Sequence, residues 1–341
     1  MKTPLLVTLS VLAPLAVAPA ARADNVELRI ATLAPDNSSW TDTLDKAADE
    51  IKDKTGGRVT LKYFKGGQQG DERDYIKKIK AGGLDGAAVT AIGLSMIDES
   101  IRVLELPMMF ETVDEVDYVA DKMWPYFAKK FEKKGFKLQD RGEVGWIYFL
   151  SKDKVQSLAD LKGMKLWVWG DDTLVSHSFK KLGLNGVPLG VPEVDPALTS
   201  GKINACYSSP YAAVALQWYT KVKFMTSMPM AFAIGATVVS NDAYKKLSAD
   251  DVKKIEEISK ANAKKLRKVI RKANEDAKGT MAKKGVTVVP TPAAMVDDFT
   301  KQAQEIWKEL IDKTGQRGYT QEELDMVIKY RDEYRAKHKK T

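Results

Sequence analysis

Residues 25–91 alternate between two hydrophobic periods, and that alternation restricts the possible folds more than any other feature of the chain. NVELRIAT (25–32) switches between polar and apolar residues as a half-buried strand does. Ser38-Ser39 can cap a helix over 40–54, which Gly56-Gly57 stops. A second strand over 58–64, a helix over 71–80 ending at Gly82-Gly83, and a third strand over 86–91 follow. This β-α-β-α-β rhythm predicts a parallel sheet flanked by helices, the α/β class.

Helices near 114–134 and a strand over 144–151 complete a first half. A second α/β unit opens at SLADLKG (157–163), with strands over 164–169, 186–189, 203–208 and 233–240 and helices over 172–182, 194–200 and 211–218 between them. Residues 248–284 then carry Val252, Ile255, Ile258, Leu266, Ile270, Ala273, Ala277 and Met281 at helical spacing. One domain rarely needs so long a helix, but it can brace two, and 341 residues suffice for two cores.

The first 23 residues form an export signal: Lys2, a short apolar run broken by Pro14 and Pro19, then Ala21-Arg22-Ala23 before Asp24. Cleavage near Ala23 is expected. The single cysteine, Cys206, excludes an internal disulfide and a Cys-rich metal site; in an oxidising compartment it needs burial. The net charge of +8 raises nucleic-acid binding, but residues 245–284 alone hold 14 basic and 6 acidic side chains, and the rest of the chain is balanced. Those charges surround an amphipathic helix, a solvated face rather than a nucleic-acid surface. GGQQG (66–70) lacks the Walker lysine-hydroxyl pair and the GxGxxG spacing, so it reads as a turn at a cleft edge. His177 has no patterned partner, Asp171-Asp172 reads as a helix cap, and HExxH, GxSxG and CxxC do not occur. No catalytic residue, metal ligand or cofactor is expected, and the chain reads as no enzyme.

Aromatic residues remain. Trp167 and Trp169 share one strand face, as do Trp146 and Tyr148. Ligands of open α/β sheets bind beyond the carboxyl ends of strands, where several such rings can line one cleft. Buried indole N–H groups need partners, which argues for a wet or ligand-facing side.

In order, ATLAPDNSSW, GGQQGDERDYIKKIKAGGLDGAAVT, LPMMF, SLADLKGMKLWV, GLNGVPL and VVSNDAYKKLS resemble the DctP-type solute-binding proteins of TRAP transporters across about 26–312. The resemblance implies a type II-like, two-lobed periplasmic binding protein with strands crossing between lobes and a long helix spanning both. It further implies closure around one small molecule and delivery to small and large membrane permease subunits. Members of that family usually carry an arginine after LKGxK(I/L) to clamp a carboxylate; here the position is Trp167. An indole cannot fork two hydrogen bonds to a carboxylate, and an anion left unpaired in a dry cleft is costly. An aromatic and Met-lined cleft instead favours an apolar or ring-bearing ligand. KLWVWGDD also resembles the TRAP subgroup associated with tetratricopeptide-repeat proteins, which points the same way.

The expected lobes are 24–150 plus 236–284 and 151–235 plus 285–315, with 1–23 as signal peptide and 316–341 as a helical tail frayed at its Lys-rich end. Trp167, Trp169, Trp146 and Tyr148 are expected to pack the ligand. Trp40, Phe110 and Tyr211 would close the cleft, Gln68, Thr90, Glu143, Asp171 and Ser208 would orient the ligand, and Tyr207 and Met228 are further expected ligand contacts. Replacing Trp167 with alanine is expected to weaken binding with little loss of fold. Two alternatives stand beside this reading. One is a receptor for an organic acid held by a non-standard cation, Arg141, Arg102 or Arg73. The other is an exported hydrophobic-ligand carrier or interaction protein working with a helical-repeat partner.

Overall fold

The computed structural model describes residues 25–170, 172–312 and 317–338, so the expected signal peptide, Asp171 and the last three residues lie outside the described residues. Among the described residues ten strands form: β1 (Val26–Thr32), β2 (Val59–Phe64), β3 (Gly86–Thr90), β4 (Phe136–Ser151), β5 (Lys165–Trp169), β6 (Asn185–Leu189), β7 (Ala205–Ser208), β8 (Phe224–Thr226), β9 (Ala231–Ser240) and β10 (Thr287–Val289). Their spatial order is β2-β1-β3-β9-β4-β7-β5-β6, with β8 joining β4 and β10. Consecutive βαβ units make β1, β2 and β3 parallel, and likewise β5, β6 and β7.

β4 connects the two halves. Its first twelve residues pair antiparallel with β9, and its last four pair with β7. Only 144–151 was legible as strand, because QDRGE (139–143) is polar. Two of those side chains are held in ion pairs: Arg141 bonds Asp117, and Arg271 holds both Glu143 oxygens at 2.8 Å. Where the register shifts, Gly145 takes φ +111°, and a Cβ there would sit 2.7 Å from Asn274 Nδ2. Only glycine suits that bulge.

Each lobe carries apolar packing on both faces of its sheet. In the first lobe, Leu28, Ile51 and Ile255 lie on one face and Tyr75, Leu94 and Phe127 on the other. In the second, Leu150, Leu198 and Trp218 oppose Phe149, Leu166 and Phe299. The helix Ala249–Lys283 spans both lobes: Ile255 and Ile258 belong to the first core and Met281 to the second.

Two expected boundaries move. All of β9 belongs to the first lobe, since it pairs with β3 and β4 along its whole length. The segment after 285 is shared: in the helix Ala293–Glu309, Met295 and Phe299 enter the second core, while Ala303, Ile306 and Trp307 enter the first. The expected C-terminal helical segment is the helix Gln321–His338, which packs on the first lobe: Leu324 and Val327 are buried in its core and Arg335 pairs with Glu115 at 2.6 Å. No helix of the described residues is long and apolar enough to cross a membrane.

Candidate functional site

A cavity of about 320 Å³ lies where the lobes meet. Its second-lobe wall is a stack of rings built on β5 and β7. The period-two geometry of β5 puts Trp167 and Trp169 on one face, 5.8 Å apart. Trp167 stacks on Tyr207 at 4.7 Å and meets Trp218 edge-on at 5.2 Å. Both indole N–H groups have partners: Trp167 donates to Leu189 O and Trp169 to Asp71 Oδ1, each at 2.9 Å. Trp167 is only 2% exposed, so it is the back of the wall and also core. That overturns the expectation that its loss would spare the fold.

Trp169 points across the cleft, because Asp71 belongs to the first lobe. Asp71 caps the helix Glu72–Lys80, and its other oxygen accepts Val191 N from the second lobe at 2.8 Å. One buried carboxylate thus ties both lobes together. A second tie is ionic. Arg102, on the 3₁₀ helix Glu99–Glu105, sends Nη2 to Asp172 Oδ1 and Oδ2 at 3.1 and 3.0 Å. Asp172 caps the helix Thr173–Leu182 on the opposite side, as its position before a helix suggested. Glu105 Oε2 stands 3.2 Å from Arg102 Nη1, and its Oε1 accepts Ile234 N at 2.7 Å. A third tie joins Trp40 and Tyr211, whose rings are 4.6 Å apart, with Ser39 N donating to the Tyr211 hydroxyl at 2.6 Å.

Among the described lining residues, Arg102 is the one cation against Glu72, Glu105, Asp140, Glu143 and Asp172. Burial works against the Arg102 charge, but Asp172 and Glu105 outweigh it and hold the guanidinium above its ordinary value. Burial pushes Glu105 up to about 7 despite Arg102. Glu72 is driven by burial to about 8, although Thr90 N, Thr90 Oγ1 and Gly93 N all donate to it at 2.7–2.9 Å.

Of the expected residues, Trp40, Thr90, Glu143, Trp167, Trp169, Tyr207 and Ser208 line this cavity. Others lie elsewhere. Trp146 and Tyr148 do not line it, although their cross-strand partners Phe232 and Ser208 do; Trp146 packs edge-on behind Phe232 at 5.1 Å, and Tyr148 lies under Lys278 of the long helix, 5.8 Å away. Phe110 is in the first core, Met228 is in the second, and Gln68 is exposed on its turn. Tyr211 acts at the inter-lobe contact rather than in the lining. Arg141 is bound to Asp117 and does not line the cavity. Asp71, Glu72 and Glu105 were missed. The start of the helix after GGQQG was the available signal for the first two.

Two lobes, crossing strands and a cavity at their seam describe a receptor, and comparison with known proteins supplies the family. Residues 30–314 match the family described as "Bacterial extracellular solute-binding protein, family 7", the DctP type. The chain belongs to this family. Family 7 proteins are substrate-binding receptors, in keeping with the resemblance to TRAP solute-binding proteins. Among curated relatives, "Uncharacterized protein YiiZ" of Salmonella typhimurium is 27% identical over 194 residues, 54% of this chain and 57% of that protein. The match thus spans little more than half of that relative. Among solved structures, the sugar acid binding protein DctPAm of Advenella mimigardefordensis, in complex with galactonate, superposes with TM-score 0.84 at 19% identity, covering 92% of this chain and 99% of that one. A TRAP periplasmic solute binding protein of Xanthobacter autotrophicus with bound β-D-galacturonate gives TM-score 0.83 at 20% identity, covering 89% and 99%. These structures establish the family 7 fold. The tetratricopeptide-associated subgroup and a helical-repeat partner gain no support from these proteins.

Proposed function

We propose that this family 7 protein is the periplasmic receptor of a TRAP-type secondary transporter, and that its lobes close on a small, ring-bearing, uncharged ligand which it hands to the membrane permease subunits. The observation that carries the ligand class is the charge inventory of the cavity. Its one guanidinium already faces two carboxylates, and its broad surfaces are indole, phenol and aliphatic side chains. A ligand carboxylate entering this site would meet a guanidinium already paired with Asp172 and would lack a free countercharge, an arrangement that costs several kcal/mol in a low-dielectric cleft (order of magnitude). Rings lying against Trp169 and Tyr207 would gain contact area without that cost.

A second reading, an acidic sugar, has its own support: the proteins of Advenella and Xanthobacter with the same fold hold galactonate and galacturonate. Titration calorimetry separates the two. The first reading expects no heat with D-galacturonate at millimolar concentration, and expects mass spectrometry of ligand extracted from purified protein to return an uncharged cyclic molecule. Micromolar binding of D-galacturonate would decide for the sugar acid.

A further inference from the structure

The proposed uncharged ligand rests on a guanidinium that is both neutralised and incompletely bonded, and the two facts together define a role. Arg102 is about nineteen-twentieths buried and lines the cavity. Its Nη2 is spent on Asp172 from the opposite lobe. Its Nε and Nη1, however, have no hydrogen-bond partner among the described residues, since Nη1 approaches Glu105 without the geometry of a hydrogen bond. Buried guanidinium N–H groups without acceptors are costly, so the charge depends all the more on the carboxylates beside it.

We propose that Asp172 occupies at Arg102 the place a ligand carboxylate would take, so that the pair sets the receptor against anions. This deepens the uncharged-ligand reading and rests on it. The carboxylate is supplied by the protein itself, and it comes from the second lobe, so Arg102 gains its hydrogen-bonded carboxylate only when the lobes meet. A ligand anion could reach the same fork only by displacing Asp172. A neutral ligand needs no such displacement, because it brings no charge that competes with Asp172 for the guanidinium.

The test is Asp172→Asn, which keeps a side-chain acceptor for the Val175 amide that Asp172 now caps at 3.0 Å. Titration calorimetry with D-galacturonate and with acetate should show a gain of about 10- to 100-fold over wild type, the yield of one hydrogen bond to a charged group. Adding Arg102→Gln should abolish the gain. Asp172→Ser, a second capping residue, should behave like the asparagine variant and covers a failure of the first to fold. If both variants fold and neither binds either anion more tightly than wild type, the role assigned to Asp172 is wrong. If wild type already binds D-galacturonate at micromolar concentration, the uncharged-ligand reading itself fails, whatever the variants do.

Discussion

Trp167 and Trp169 are two residues apart and share a face, yet they answer to different forces. Trp167 touches Tyr207, Trp169 and Trp218 and is almost wholly buried, so Trp167→Ala removes a core side chain as well as a wall. Its expected cost is about 3–5 kcal/mol, read as a lower denaturant midpoint. Trp169 is only half-buried, and its indole bond to Asp71 exists only when the lobes are together. Trp169→Phe should therefore leave the unfolding midpoint within about 1 kcal/mol of wild type. It should weaken binding of the extracted native ligand about fivefold or more, the loss of one hydrogen bond to a carboxylate. An equal loss of stability in both variants would mean that Trp169, too, is only core.

At the scale of elements, the junction around Gly145 governs how the lobes are joined. Asn274 of the long helix donates to Val144 O at 2.9 Å and accepts Tyr211 N at 3.0 Å, so one side chain binds the crossing strand, the bracing helix and the second lobe. Gly145→Ala would force both a positive-φ penalty and a clash with that amide. A loss of about 2 kcal/mol or more is expected on urea denaturation, and Asn274→Ala should relieve part of it in the double variant, because the two positions are in contact. How much of this was legible follows from where each signal is local. The alternation of NVELRIAT and the glycine stops around 56–57 and 82–83 announce their elements within a few residues, because burial period and turn chemistry are local. The first half of β4 hid behind its charges, and the Arg102–Asp172 pair joins positions 70 apart that no period links. Trp146 and Tyr148 lie on the expected strand, but their own positions are covered by Phe232 and by Lys278 of the long helix, which alternation along one strand does not show.

For the whole molecule, the buried acids set a pH dependence. Glu105 at about 7 and Glu72 at about 8 both hold protons more tightly folded than at the ordinary glutamate value of 4.5. Between about pH 5 and 8 the folded state thus binds more protons than the unfolded one, and the contribution of these two groups to stability falls as pH rises. Urea unfolding across that range should show a negative slope that flattens in the Glu72→Gln, Glu105→Gln double variant, whatever that variant's absolute stability. An unchanged slope would place the titration elsewhere. The position of β9 carries a consequence in time rather than in energy. It lies between β3 and β4 yet is made about ninety residues after β4 begins, so the middle of the first lobe's sheet is the last of its strands to arrive. Until residue 240 is available, β3 and β4 both present open edges, and the lobe cannot close its sheet. Refolding should accordingly be slow for a chain of this helix content, and truncation before β9 should yield an aggregating fragment rather than a free-standing first lobe.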